Sequence, residues 1–132
     1  MIQVAPQMKI LLAVQPVDFR QGIDCLAQTC RERLQADPTT GAVFVFRNRA
    51  RTAIKVLSHD GFGWWLCHRR LAAGRLRWWP TAGAAGDETH ASNHGAESSV
   101  RLLAHELQVL INGGDPTGTR IPPAWKPIPT SA

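Results

Sequence analysis

The chain has 132 residues, 44% of them hydrophobic and 19% charged, with a formal net charge of +5 and a pI near 9.9. That is one domain's worth of chain with enough apolar material for a core, so folding requires neither a disulfide framework nor a structural metal. The positive surplus selects anionic partners, nucleic acid first and a membrane surface second, and no run approaches the ~18 consecutive apolar residues of a membrane span.

Met8 to Val14, closed by Pro16, is a short apolar run and is expected to be a strand buried on both faces. The stretch before it lacks a basic leader, so it makes a poor signal peptide. Asp18 is expected to open a helix, with Gln21 three residues on completing a capping box. Phe19, Ile23, Leu26, Ala27, Cys30 and Leu34 then fall on one helical face, and Pro38 ends the run. Cys25, Cys30 and Cys67 are odd in number and read as free thiols, which suits a reducing, cytoplasmic location.

From Gly41 to Pro80 the pattern becomes a series of short strands. Val43, Val45, Arg47, Arg49 and Arg51 alternate with Phe44, Phe46, Asn48 and Ala50. The arginines line one face if the strand stays extended, or sit on a loop if Asn48 to Arg51 turns. Thr52 to His59 is a second strand, Asp60-Gly61 a hairpin turn, and Phe62 to Arg69 a third strand. Gly74 supplies a turn with positive φ before a last strand, Arg75 to Trp79. A meander of consecutive antiparallel strands is the simplest topology. Thr81 to Ser99 is small, polar and glycine-rich, a linker. Val100 to Ile111 has helical spacing and is followed by Asn112-Gly113-Gly114, a C-terminal cap. Residues 115–132 are proline-rich and expected to be extended or disordered.

These elements give an α+β fold: an antiparallel four- to five-stranded meander sheet with two helices packed on one face. Residues 1–114 form the single domain, with 81–99 as a linker inside it and 115–132 as a tail.

The Gly41 to Pro80 stretch holds eight basic residues, Arg47, Arg49, Arg51, Lys55, Arg69, Arg70, Arg75 and Arg77, against one acid, Asp60. Arginine neutralises phosphate, and tryptophan stacks on bases, so Trp65 and Trp79 join that set as candidate nucleic-acid contacts. A solvated sheet face covered by arginine stems is the plain alternative. Enzyme chemistry finds little support. Asp18 has a capping position, Asp37 precedes the helix-stopping Pro38 and Asp60 has a turn position, and no pair of the acids sits at adjacent strand ends to hold Mg²⁺. His90 and His94 lie in the glycine-rich loop, and Cys25 and Cys30 lack zinc spacing. No G-x-S-x-G, P-loop or G-x-G-x-x-G motif occurs. No catalytic residue, metal or cofactor is expected.

Three segments carry a resemblance: PVDFRQGID (Pro16 to Asp24), DPTTGAVFVFRNRARTAIKVLSHDG (Asp37 to Gly61) and HRRLAAGRLRWWP (His68 to Pro80). In order and spacing they resemble the TnpB accessory protein of the sixty-six type bacterial insertion sequences. The segment LLAHELQVLINGG (Leu102 to Gly114) resembles that family's closing helix more loosely. The chain departs from the pattern at His59, where the family has an aromatic residue, and in the longer linker. The resemblance implies a role beside a separate, larger transposase, and it supplies no catalytic residues. By motif position Arg20, Arg47, Arg49, Lys55, Arg69, Arg70 and Arg75 are its basic residues. The function expected is a non-catalytic accessory factor in DNA transposition that binds DNA phosphates through the basic face. The alternative is a protein–protein adaptor of the transposase complex, using exposed tryptophans and the proline-rich tail.

Overall fold

The computed structural model describes residues 8–80 and 99–118. Five strands and two helices follow in the order β1 (Ile10–Ala13), α1 (Ile23–Glu32), β2 (Val43–Arg47), β3 (Ala53–His59), β4 (Trp64–Arg70), β5 (Ser99–Leu102) and α2 (Ala104–Ile111). One sheet holds all five strands in the order β4-β3-β2-β1-β5. The α+β class is therefore as the sequence suggests, but the sheet is mixed: β1 runs parallel to β2, and the other three pairs are antiparallel. A parallel pair needs a crossover, and α1 supplies it between β1 and β2.

The crossover also places the helices. Successive β1 side chains alternate between faces, so Ile10 and Leu12 join one core cluster while Leu11 and Ala13 join another. Leu107 and Leu110 of α2 cover the first, and Leu26 and Cys30 of α1 cover the second. The two helices thus lie on opposite faces, not together on one. Sandwiching the sheet explains why Val43 to Phe46 are all buried.

Three elements differ from the sequence expectation. Asp18 does not open the helix, which starts at Ile23 with Gly22 as its uncapped N-terminal residue. The carbonyls of Phe19 and Gln21 instead accept hydrogen bonds from the Lys55 ammonium, at 2.8 and 2.9 Å, and are lost to any helical ladder. The expected helix from Val100 splits into β5 and α2, because the open edge of β1 takes Ser99–Leu102 as an antiparallel partner. Arg75 to Trp79 form no strand. That segment crosses the end of the sheet, with the Leu76 amide donating to the Arg51 carbonyl at 2.8 Å and the Trp79 indole N–H to the Ala13 carbonyl at 2.8 Å.

The expected turns are present. Gly61 (φ 94°) and Gly113 (φ 86°) hold the left-handed conformations that glycine takes without steric cost. Most of the 81–99 linker lies outside the described residues, and Ser99 itself begins β5. Of the proline-rich tail, Pro116–Gly118 forms a 3₁₀ turn against α2, and 119–132 lie outside the described residues.

Candidate nucleic-acid interface

Arg47 ends β2, and the chain turns through Asn48, Arg49, Ala50 and Arg51 into β3. Asn48 builds this turn. Its side-chain oxygen accepts from the amides of Thr52 and Ala53 at 2.9 and 3.1 Å, and its amide nitrogen donates to the Thr52 hydroxyl at 2.9 Å. Arg51 takes a left-handed conformation, φ 64°. The three arginines therefore do not line one sheet face; they crowd a tight turn.

Other arginines come to the same end. Strand register places Ile54 between Arg47 and Arg69, and pairs Ala53 with Arg70. The Leu76–Arg51 backbone bond brings Arg75 and Arg77 beside the turn. Seven arginines thus gather where β2 and β4 end and β3 begins. Arg49, Arg69, Arg70, Arg75 and Arg77 are exposed, and Arg47 and Arg51 half-buried. Among the described residues no carboxylate forms an ion pair with them. Among the described residues the one ion pair is Arg20–Asp18, 2.8 Å, which lies outside this group.

Arg47 is the base of the cluster. Its guanidinium sits 5.9 Å from the centre of the Trp79 ring, and one terminal nitrogen donates to the Asn48 carbonyl at 3.2 Å. Its Nε is buried without a partner. Burial first, then the charges of Arg51 and Arg49, push its pKa below the ordinary value. A cation held against two others without a counter-charge is stabilised when an anion arrives.

Two expected contacts are placed elsewhere. Lys55 is buried, with its ammonium committed to the Phe19 and Gln21 carbonyls and 5.0 Å from the centre of the Phe19 ring. It pins the loop before α1 and presents no charge to solvent. Trp79 is 4% exposed and fills the α2-side core, so it offers no face to a base. In both cases alternation along the chain is visible in sequence, but the segment that covers the side chain is distant and is not.

Trp65 is 48% exposed, toward the opposite end of β4. Its indole N–H donates to Asp60 Oδ2 at 2.8 Å, and Asp60 Oδ1 accepts from the amides of Phe62 and Gly63. These bonds hold the Asp60 carboxyl below its usual range. Trp65 thus stands apart from the arginine end. Phe62, 98% exposed at the hairpin tip, is a surface feature the sequence reading passes over; its place just after Asp60-Gly61 is the signal that would have found it.

The remaining candidates for chemistry stay scattered. Among the described residues no three His, Cys, Asp or Glu side chains stand together as metal ligands. The cysteines are free, and burial pushes the Cys30 thiol up to about 12, so it remains protonated. Among those residues too, no helix is long and apolar enough to cross a membrane.

Together these features make an α+β fold with arginines concentrated at one end and, among the described residues, no carboxylate paired with them. A family of IS66 Orf2-like proteins matches residues 8–120, and the chain belongs to that family. It is an accessory-protein family associated with insertion-sequence transposition. Two relatives come from Sinorhizobium fredii (strain NBRC 101917 / NGR234). The chain is 28% identical to the uncharacterized protein y4jC over 127 residues, covering 96% of this chain and 97% of the relative. It is 34% identical to the uncharacterized protein y4hO over 85 residues, covering 64% and 74%. No solved structure matches the chain significantly.

Proposed function

We propose that this protein is a non-catalytic accessory factor in insertion-sequence transposition that binds DNA phosphates through its arginine end. The observation that carries the reading is the meeting of seven arginines from three segments with no carboxylate partner among the described residues. Exposed Arg49, Arg69, Arg70, Arg75 and Arg77 neutralise phosphate. Arg51 shapes the turn, and Arg47 supports the cluster from beneath. Guanidinium groups suit this work because their planar forks match phosphate geometry. Nothing in the cluster forms a recognition helix, so the contact is to the backbone and not to base edges.

The test is a binding titration of the purified protein against element-end duplex, scrambled duplex and single-stranded DNA, at low and moderate salt. Binding that weakens steeply with salt and varies little between the duplexes is expected. Absence of binding at low salt would overturn the proposal. The adaptor reading retains one structural support, the exposed Phe62 and Trp65 at the far end of the sheet. It predicts co-purification with the element's transposase after nuclease treatment.

A further inference from the structure

Among the described residues β4 is an edge of the sheet, and the side turned away from β3 has a readable hydrogen-bond pattern. At one end of the β3–β4 ladder the Asp60 amide donates to the Gly63 carbonyl; at the other the Leu71 amide donates to the Thr52 carbonyl. Hydrogen-bonded and non-hydrogen-bonded pairs alternate along an antiparallel ladder. The intervening register pairs Ser58 with Trp65, Val56 with Cys67 and Ile54 with Arg69. Those pairs are therefore the ones that exchange hydrogen bonds with β3. The amides and carbonyls of Trp64, Leu66, His68 and Arg70 point the other way, off the edge of the sheet.

An edge of this kind is a template for another strand. Natural proteins blunt such edges with prolines, bulges or charges spread along the strand. Over seven residues β4 has neither proline nor bulge. Its charges are also all at one end: two tryptophans and a leucine lead, and His68, Arg69 and Arg70 close.

We infer that β4 pairs with β4 of a second copy of this chain, antiparallel about a two-fold axis at Cys67. That register sets outward-facing Leu66 against the partner's His68 and Trp64 against the partner's Arg70, as hydrogen-bonded pairs. It sets Trp65 against the partner's Arg69, and Cys67 against the partner's Cys67, in the closer non-hydrogen-bonded positions. Both arginines of each strand then meet a tryptophan of the other, on the two faces of the joined sheet, where cation–π contact is favourable. The guanidinium edges stay open to solvent or phosphate. Continuing the register carries exposed Phe62 toward the partner's Ala72. A parallel pairing would instead stack arginine on arginine. The antiparallel pairing about Leu66 would leave Trp65 facing the partner's Cys67. The resulting particle has one ten-stranded sheet and two arginine ends, separated by about the length of the shared strand, roughly 23 Å for seven residues. Pairing of this kind does not depend on DNA binding.

The experiment is sedimentation of the full chain in reducing buffer, free of nucleic acid. A mass of twice 14.5 kDa is expected. Trp65→Arg sets arginine against arginine and should give a monomer. Mixing it with Arg69→Trp rebuilds both cross-strand pairs, and a heterodimer should return. That rescue separates lost pairing from a fold defect. Mild oxidation with diamide should link the Cys25→Ser variant into a covalent dimer, since Cα atoms about 4.5 Å apart lie within disulfide reach. Adding Cys67→Ser to the Cys25→Ser variant, whose exposed thiol is already removed, should abolish the link. A monomer at every concentration would overturn the inference. So would a dimer that ignores Trp65→Arg, or one that does not cross-link through Cys67.

Discussion

Lys55 shows how a single residue can be read correctly for charge and wrongly for purpose. Its place among seven arginines in sequence suggests a phosphate contact, but the loop before α1 folds over it and takes both its hydrogen bonds. Lys55→Met leaves two carbonyls without their donor and should lower stability by about 1–3 kcal/mol. DNA affinity should be unchanged, measured by urea unfolding and a binding titration in parallel. The carboxylates make a second prediction at this scale. Asp18, Asp37, Asp60 and Asp115 are all held below their ordinary value of 3.8 by local hydrogen bonds, Asp18 to about 2 by Arg20. A depressed carboxyl stabilises the fold above its unfolded pKa and loses that effect as pH falls through its folded value. The urea midpoint should therefore hold from neutrality down to about pH 5. It should then decline below 3.8, with the Asp18 share lost last, near 2.

Among the elements, α1 carries a correctable strain. The helix ends at Glu32 with Arg33 as its cap, and Gln35 two residues on lies in the left-handed region at φ 53°, with the Ala36 amide donating to the Cys30 carbonyl. This is the position where glycine ordinarily closes a helix. Gln35→Gly should raise stability by up to about 1 kcal/mol, the relief of side-chain crowding less the added freedom of the unfolded chain. An unchanged or lower melting temperature would contradict that assignment. Elements are legible in the sequence where local chemistry decides them. The apolar run of β1, the stripe of α1 from Ile23 onward, and the Asp60-Gly61 turn can all be read from neighbours in the chain. They are illegible where a distant partner decides. Ser99–Leu102 becomes a strand because β1 offers it an edge, and Arg75 to Trp79 leaves the sheet because Trp79 reaches the Ala13 carbonyl.

For the whole molecule, the class of fold follows from composition and periodicity, but the two-sided sandwich does not. Its cause is the parallel β1–β2 pair, and a parallel pairing leaves no local signature that distinguishes it from a meander. The candidate site is legible as a set of arginines and illegible as a place. Strand register and the crossing of the 71–80 segment gather side chains that the sequence spreads over thirty positions. The most direct test of the arginine end as a phosphate-binding surface uses two exposed members from different segments. Binding to scrambled duplex is measured across a salt series for the unaltered protein and for Arg49→Ala with Arg75→Ala. Each arginine that neutralises a phosphate steepens the slope of log affinity against log salt by about 0.9, and its removal should flatten the slope by the same amount. The double variant should fold normally, bind all sequences more weakly and have a slope shallower by nearly two. An unaltered affinity and slope would contradict this and move the anion-binding surface away from this end of the sheet.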